Sequence, residues 1–305
     1  MSQTTNTVKF GLGADPELFV YDNKEKVFIS SHNLIPGTKE EPFKTSCGAI
    51  QVDGVAAEFN INPAFTGEEF KNNVMATVKD LLSQIQENPT KIKGSPSKVK
   101  RSNYILKAVP VATFNKRYFK SLPDKAKELG CTPDFNAYTG EQNPPPETNR
   151  TMRTGAGHLH VSWTEYEDIE DKAHLKDCID VVKQLDTAIY PMSYLWDSSS
   201  QRRELYGKMG SFRPKHFGVE WRPLSNVWVK DPDLHLWLFN ATERCLTLLD
   251  NDTELWDTNI LHDTIKWLRE NPHGSISKKE LLGYHKILVD TYGFKPLPEF
   301  YLKAA

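Results

Sequence analysis

Cysteine is scarce in this chain and scattered: Cys47, Cys131, Cys178 and Cys245 are the four present. None forms a C-x-x-C pair, which excludes a disulfide framework and a zinc knuckle. Long hydrophobic runs are missing as well. No apolar stretch approaches the ~20 residues of a membrane span, and Met1 to Thr7 carry no apolar leader segment, so a soluble cytoplasmic protein with reduced thiols is expected. Charge of one sign is also lacking, with 38 Lys and Arg against 40 Asp and Glu. That balance excludes a general nucleic-acid binder. There are no internal repeats. What is present is 305 residues at 38% apolar composition, enough to bury a large core.

The first third reads as strands. Lys9 to Tyr21 and Lys26 to Ser31 pair across a polar turn, and Ala49 to Asn62 forms a second pair turning at Asp53-Gly54. From Thr66 to Asn88 the apolar positions fall at helical spacing, with Thr66 as N-cap and Glu69 as its capping-box partner. Residues 89–103, rich in Pro, Gly and Lys, read as a mobile solvated connector, and 139–149 as a second mobile loop. Ile105 to Phe114 returns as a strand, and Pro123 to Arg153 is irregular. Glu170 to Tyr194 is a strong amphipathic helix, and three further helical patterns follow from Asp233. Strands pairing through turns, then helices, predict an α+β fold with a mostly antiparallel sheet. Residues 1–230 are read as a catalytic core and 231–305 as a helical C-terminal region packed on the same domain.

Three segments place chemically matched residues two positions apart: Asp15-Pro16-Glu17, His158-Leu159-His160 and Glu220-Trp221-Arg222. On a strand that spacing sends both side chains to one face. Paired carboxylates repel unless a cation joins them, and such oxygen ligands suit Mg²⁺, with Mn²⁺ as the alternative. Pro16 belongs at a strand end or edge, open to ligand. Glu58 and Asn60 alternate with Phe59 and Ile61, and a mid-strand carboxylate such as Glu58 is disfavoured without a purpose. Asp53 has a second explanation as a turn residue. The glycines before His158 let backbone approach a phosphate. Arg202, Arg203, Arg213 and Arg222 surround Glu220 in sequence, and the guanidinium fork matches phosphate and carboxylate geometry. Each motif alone also has a bland reading, as surface turn, ordinary strand or surface ion pair.

Taken in order, G-x-D-P-E-L-F at 13–19, the Glu58 strand, G-x-G-H-x-H at 155–160, and R-P then E-x-R at 213–222 resemble the glutamine synthetase and γ-glutamylcysteine ligase superfamily. Within it, the segments most resemble the carboxylate-amine ligases (amidoligases) of tailed bacteriophages. The resemblance covers roughly residues 9–228. It implies a glutamine-synthetase-like curved antiparallel sheet holding Mg²⁺ between ATP and a carboxylate substrate. It also implies Glu17 and Glu58 as ligands of one metal, and Asp15, His158 and Glu220 as ligands of another on the ATP phosphates. Arg213, Arg222 and Arg203 would serve the transferring phosphoryl group, and His160, Arg202 and Arg213 the nucleotide. Asp53, Asn60, Cys131, Asp134 and Tyr138 are the expected substrate contacts. Asp15 stands where better-known ligases carry Glu.

These residue types suit a ligase that turns a carboxylate into an acyl phosphate with ATP and joins it to an amine, on small-molecule or peptide substrates. Three alternatives stay open: a guanidino-type phosphotransferase, a metal-dependent hydrolase using the two histidines, and an inactive nucleotide-binding protein. Homo-oligomer formation is also left open.

Overall fold

A computed structural model describes residues 9–87, 101–128, 134–144, 151–272 and 274–303. Residues 89–100, 145–149 and Cys131, for which loop roles or substrate contacts are expected, lie outside the described residues.

The stretch read as one N-terminal strand is two, β1 (Gly11–Ala14) and β2 (Glu17–Asp22). Pro16 stands at the break, where it cannot donate to a ladder, and the two strands enter different sheets. β3 (Val27–Ile29) and β4 (Phe43–Lys44) follow. β5 (Gly48–Asp53) and β6 (Ala56–Ile61) pair about Gly54, whose φ of 56° is the left-handed conformation that glycine adopts without a Cβ penalty. Helix α1 (Gly67–Glu87) buries Phe70, Val74, Leu81 and Ile85 along one face. Thr66 Oγ accepts from the Glu69 amide as expected. The Glu69 carboxylate accepts from Phe65 N rather than Thr66 N, one residue before the capping-box position.

The stretch 105–114 is also divided by a proline, Pro110, into β7 (Tyr104–Lys107) beside β2 and β8 (Val111–Thr113). Two short helices, α2 (Lys116–Ser121) and α3 (Asp124–Lys127), precede β9 (Phe135–Asn136), β10 (Met152–Thr154) and β11 (Leu159–Ser162). The amphipathic pattern of 170–194 gives α4 (Lys172–Ala188) and one further turn, α5 (Tyr190–Ser193). Pro191 has no amide to offer the Thr187 carbonyl four residues back. The Tyr284 hydroxyl donates to that carbonyl instead, at 2.7 Å, so the helix break becomes an anchor for the C-terminal region. Then come α6 (Ser200–Leu205), β12 (Ser211–Lys215), β13 (Gly218–Trp221), α7 (Pro232–Asp250), α8 (Asn259–Glu270), α9 (Lys278–Tyr292) and α10 (Glu299–Leu302).

The α+β class and the antiparallel pairing stand, but the expected glutamine-synthetase-like curved sheet is corrected. The described strands form three open sheets: β1-β11-β13-β12-β9, then β3-β2-β6-β5-β4 with β7 added to β2, and the pair β10-β8. The proline breaks at 16 and 110 are the physical reason, because each ends one ladder and starts another. The first two sheets meet through mutual backbone hydrogen bonds between Leu12 and Ala64, 2.8 and 2.9 Å. One core runs through Leu12, Phe59, Phe70, Leu159, Val182 and Trp221 into Leu234, Trp237 and Leu238 of α7. Among the described residues, no helix is long and apolar enough to cross a membrane.

Candidate functional site

Strand register assembles the site. Arg213 on β12 lies directly opposite Glu220 on β13, and Glu220 lies opposite His160 on β11. Directly opposed residues share a face with their Cβ atoms ~5 Å apart, so a guanidinium, a carboxylate and an imidazole form one row across the first sheet. Leu159, Val161, Val219 and Trp221 alternate with them and are fully buried on the other face. His158 and Arg222, two residues from His160 and Glu220, extend the row as the spacing predicts. Asp15, at the Pro16 break, reaches in from the end of β1.

The distances are short. Asp15 Oδ1 is 3.2 Å from His160 Nε2 and 3.3 Å from His158 Nδ1, and His158 Nδ1 is 3.5 Å from Glu220 Oε1. Glu220 is also gripped by cations: Arg222 Nη1 donates to its Oε1, Lys215 Nζ is 2.7 Å from Oε2, and Arg213 Nη1 is 3.5 Å from Oε1. Burial would raise the Asp15 carboxyl, but the His160 charge first, then the His158 ring and hydrogen bonds from both imidazoles, outweigh it and hold it well below the usual range. Burial and then Arg222 depress His158 to about 4, so it is a neutral imidazole near pH 7. For His160 the Asp15 carboxylate overcomes burial and raises the value.

A second group of acids adjoins the first. Glu17 on β2 is directly opposite Glu58 on β6, which faces Gln51 on β5. Burial first, then the Asp53 charge, pushes Glu17 up to about 7, although its carboxylate accepts the Ala156 amide at 3.1 Å. Glu58 is raised well above the carboxylate range by burial, then by Asp15, Asp53 and Glu17. Lys39 Nζ lies 3.0 Å from Asp53 Oδ1. Asp53 and Lys39 also line a cavity of about 380 Å³ with Thr38, Gly54, Lys125 and Glu128.

The donor set fits a divalent cation. One ligand atom each from Asp15, His160 and Glu220 lie within 4.8 Å of one another. Adjacent ligands at ~2.1 Å from an octahedral ion are ~3 Å apart and opposite ones ~4 Å, so small side-chain movements close the triad. Asp15 Oδ1, Glu58 Oε2, His158 Nε2 and His160 Nε2 are buried without a well-directed hydrogen bond among the described residues, a condition that a bound ion relieves. The mixed nitrogen and oxygen set accommodates Mn²⁺ at least as readily as Mg²⁺.

Other expected site residues have different partners. Arg202 is fully buried and donates to the carbonyls of Gly155, Pro223 and Leu224 at 2.9, 2.6 and 2.6 Å. It braces the loop that carries His158, each of its three guanidinium nitrogens already donating to a main-chain carbonyl. Arg203 donates to the Asp197 and Ser199 carbonyls and lies over the Tyr194 ring. Asp134 accepts from Arg222 Nε at 3.1 Å and from Asn143 at 2.8 Å, so it positions an arginine of the site. Asn60 shares the Glu58 side of β6, opposite Ala49. Tyr138 faces away, beside Asp186 and under the Arg269 guanidinium. Gly155 and Gly157, read as a phosphate approach, instead admit Asn226, and Ser225 with Trp228, respectively; a Cβ at either would strike them. Lys215 and Lys39 were not anticipated. Lys215 was legible, since it stands two residues from Arg213 on one strand; Lys39 carries no local signal.

No protein-family model matches the chain, and no curated protein matches it.

Proposed function

We propose that this chain is a divalent-metal-dependent ligase that activates a carboxylate with ATP and joins it to an amine on small-molecule or peptide substrates. The observation that carries the reading is the row Arg213, Glu220 and His160, with Asp15 at its end and Lys215 and Arg222 on Glu220. It sets metal-ligating atoms directly beside cations suited to phosphoryl oxygens. A carboxylate is a poor electrophile, so an oxygen must first become a leaving group.

In the proposed sequence a substrate carboxylate oxygen attacks the γ-phosphorus and ADP leaves. The amine nitrogen then attacks the acyl carbon, inorganic phosphate departs with that oxygen, and the amine loses a proton. Asp15, His160 and Glu220 would hold an ion, Mg²⁺ or Mn²⁺, which would supply charge neutralisation for the phosphates. Arg213 and Lys215, the more exposed cations of the row at 21% and 33%, bind the phosphoryl oxygens. Arg222, nearly buried, holds Glu220 and Asp134 in place. The unpaired acids Glu17 and Glu58 are the proposed ligands of a further ion toward the acceptor carboxylate.

Oxygen-18 tracing tests this. With a labelled carboxylate substrate found by screening carboxylate and amine pools for ATP-dependent phosphate release, label is expected in inorganic phosphate, with equimolar ADP and an amide product. Turnover without ATP would replace the ligase with a metal-dependent hydrolase. A stable phosphorylated acceptor with no phosphate release would make the protein a phosphotransferase.

A further inference from the structure

A second cavity of about 290 Å³ lies among the helices, lined by Tyr138, Lys183 of α4, Trp256 and Asp257, and His262, Ile265, Lys266 and Arg269 of α8. None of these residues belongs to the acid and imidazole cluster. Lys183 Nζ sits between two aromatic rings, 6.0 Å from Tyr138 and 5.8 Å from Trp256, and the Arg269 guanidinium is 4.9 Å from the Tyr138 centroid. Ring faces orient cations without neutralising them. Among the described residues Lys183, Lys266 and Arg269 form no ion pair, and Asp257 is the one carboxylate of the lining. Three cations and one carboxylate leave the lining of this hollow net positive, which favours an anion.

We propose that this cavity binds a small polyanion bearing phosphoryl or carboxylate groups. The size suits it: at ~30 Å³ per water the space holds roughly ten waters, more than a single phosphate fills and near the small end of ligand pockets. Lys183, Lys266 and Arg269 supply charge-assisted hydrogen bonds from three sides, and Trp256 and Tyr138 supply flat walls. The site is tied to the first sheet by the hairpin that carries Tyr138. Asn136 N donates to the Glu141 carbonyl at 2.9 Å and Asn143 N to the Asp134 carbonyl at 2.8 Å, and Asp134 at the hairpin base holds Arg222.

Pyrophosphate and citrate, titrated calorimetrically into metal-free protein at constant ionic strength, test the assignment and separate the two sources of charge. At least one is expected to bind saturably. Lys183→Gln with Arg269→Gln should weaken binding at least about tenfold, since charge-assisted contacts are removed. Arg213→Gln, in the candidate metal site, should leave it within about twofold, as should Lys286→Gln on the remote face of α9. Both substituted side chains of the pocket reach solvent, so the fold is retained, and circular dichroism checks it. The proposal is overturned if neither anion binds, if binding survives the double substitution, or if Arg213→Gln removes it equally.

Discussion

Glu220 is buried and Glu17 half-buried, both on strands, yet the same substitution should affect them in opposite ways. Glu220 is matched by Arg222, Lys215 and Arg213, so Glu220→Gln strands buried positive charge and is expected to destabilise the metal-free protein by about 3–5 kcal/mol. Glu17 is opposed by Glu58 and Asp53, so Glu17→Gln relieves repulsion and is expected to stabilise the metal-free protein by about 1–2 kcal/mol above neutrality. Urea unfolding in EDTA reads both signs, and a Mn²⁺ titration should show weakened binding in each variant; destabilisation by both would end the account of an uncompensated acid cluster. For Arg213→Lys, replacing a fork by a point charge should lower kcat for ATP-dependent turnover by about tenfold or more with little change in KM; a KM effect alone would assign Arg213 to ground-state binding. The row was legible because alternation by two fixes the face of Glu220, His160 and Arg222. Arg202 and Arg203 were not legible, because their partners are main-chain carbonyls of loops whose approach no local pattern encodes.

At the scale of elements, hydrophobic periodicity placed α1 close to its observed bounds and marked the start of α4 and the presence of helices after Asp233, since each buries an apolar face. The misreadings fall at prolines. Pro16 and Pro110 each divided a run of strand-forming residues, and Pro191 ended a helix whose apolar pattern continued; in each case a missing amide outweighed side-chain periodicity. The loop from Gly155 to His158 shows a different limit, since the glycines were visible but the chain crossing them was not. Its Gly157 packs against the Ser225 carbonyl and Trp228, and neither can retreat as a flexible side-chain tip would. Gly157→Ala should therefore cost about 1–3 kcal/mol and weaken Mn²⁺ binding through displacement of His158. Gly140→Ala is the control: its added methyl meets nothing within 4 Å and its φ is 72°, so about 1 kcal/mol of backbone strain is expected with Mn²⁺ affinity unchanged. Thermal denaturation and Mn²⁺ calorimetry distinguish the two outcomes.

Across the whole molecule, the core ignores the boundary that motif order suggested near residue 230. Leu234, Trp237 and Leu238 of α7 share one cluster with Leu12 of β1 and Phe70 of α1, so a fragment ending at 230 should fail to give a cooperative thermal transition. The site itself makes global stability depend on pH and metal together. Glu17 is raised from 4.5 to about 7 and Asp186 from 3.8 to about 7, both chiefly by burial. The folded chain keeps these protons after the unfolded chain has lost them, so their contribution to stability falls as pH rises toward 7. His158 and His235, depressed from 6.5 to about 4 by burial, act oppositely, but only below 6.5, where the unfolded imidazoles are charged. Above 6.5 that opposition ends, and the raised His160 and Glu58 add to the decline. In EDTA, Glu17 and Asp186 alone are thus expected to lower stability by about 1–2 kcal/mol from pH 6.5 to about 8, with His160 and Glu58 adding to the fall. With saturating Mn²⁺ the slope should reverse, because the ion binds the deprotonated acids and competes with their protons. Parallel urea titrations across this range check both signs, and Glu17→Gln should flatten the EDTA curve. Identical slopes with and without Mn²⁺ would mean that the buried carboxylates and imidazoles hold no ion.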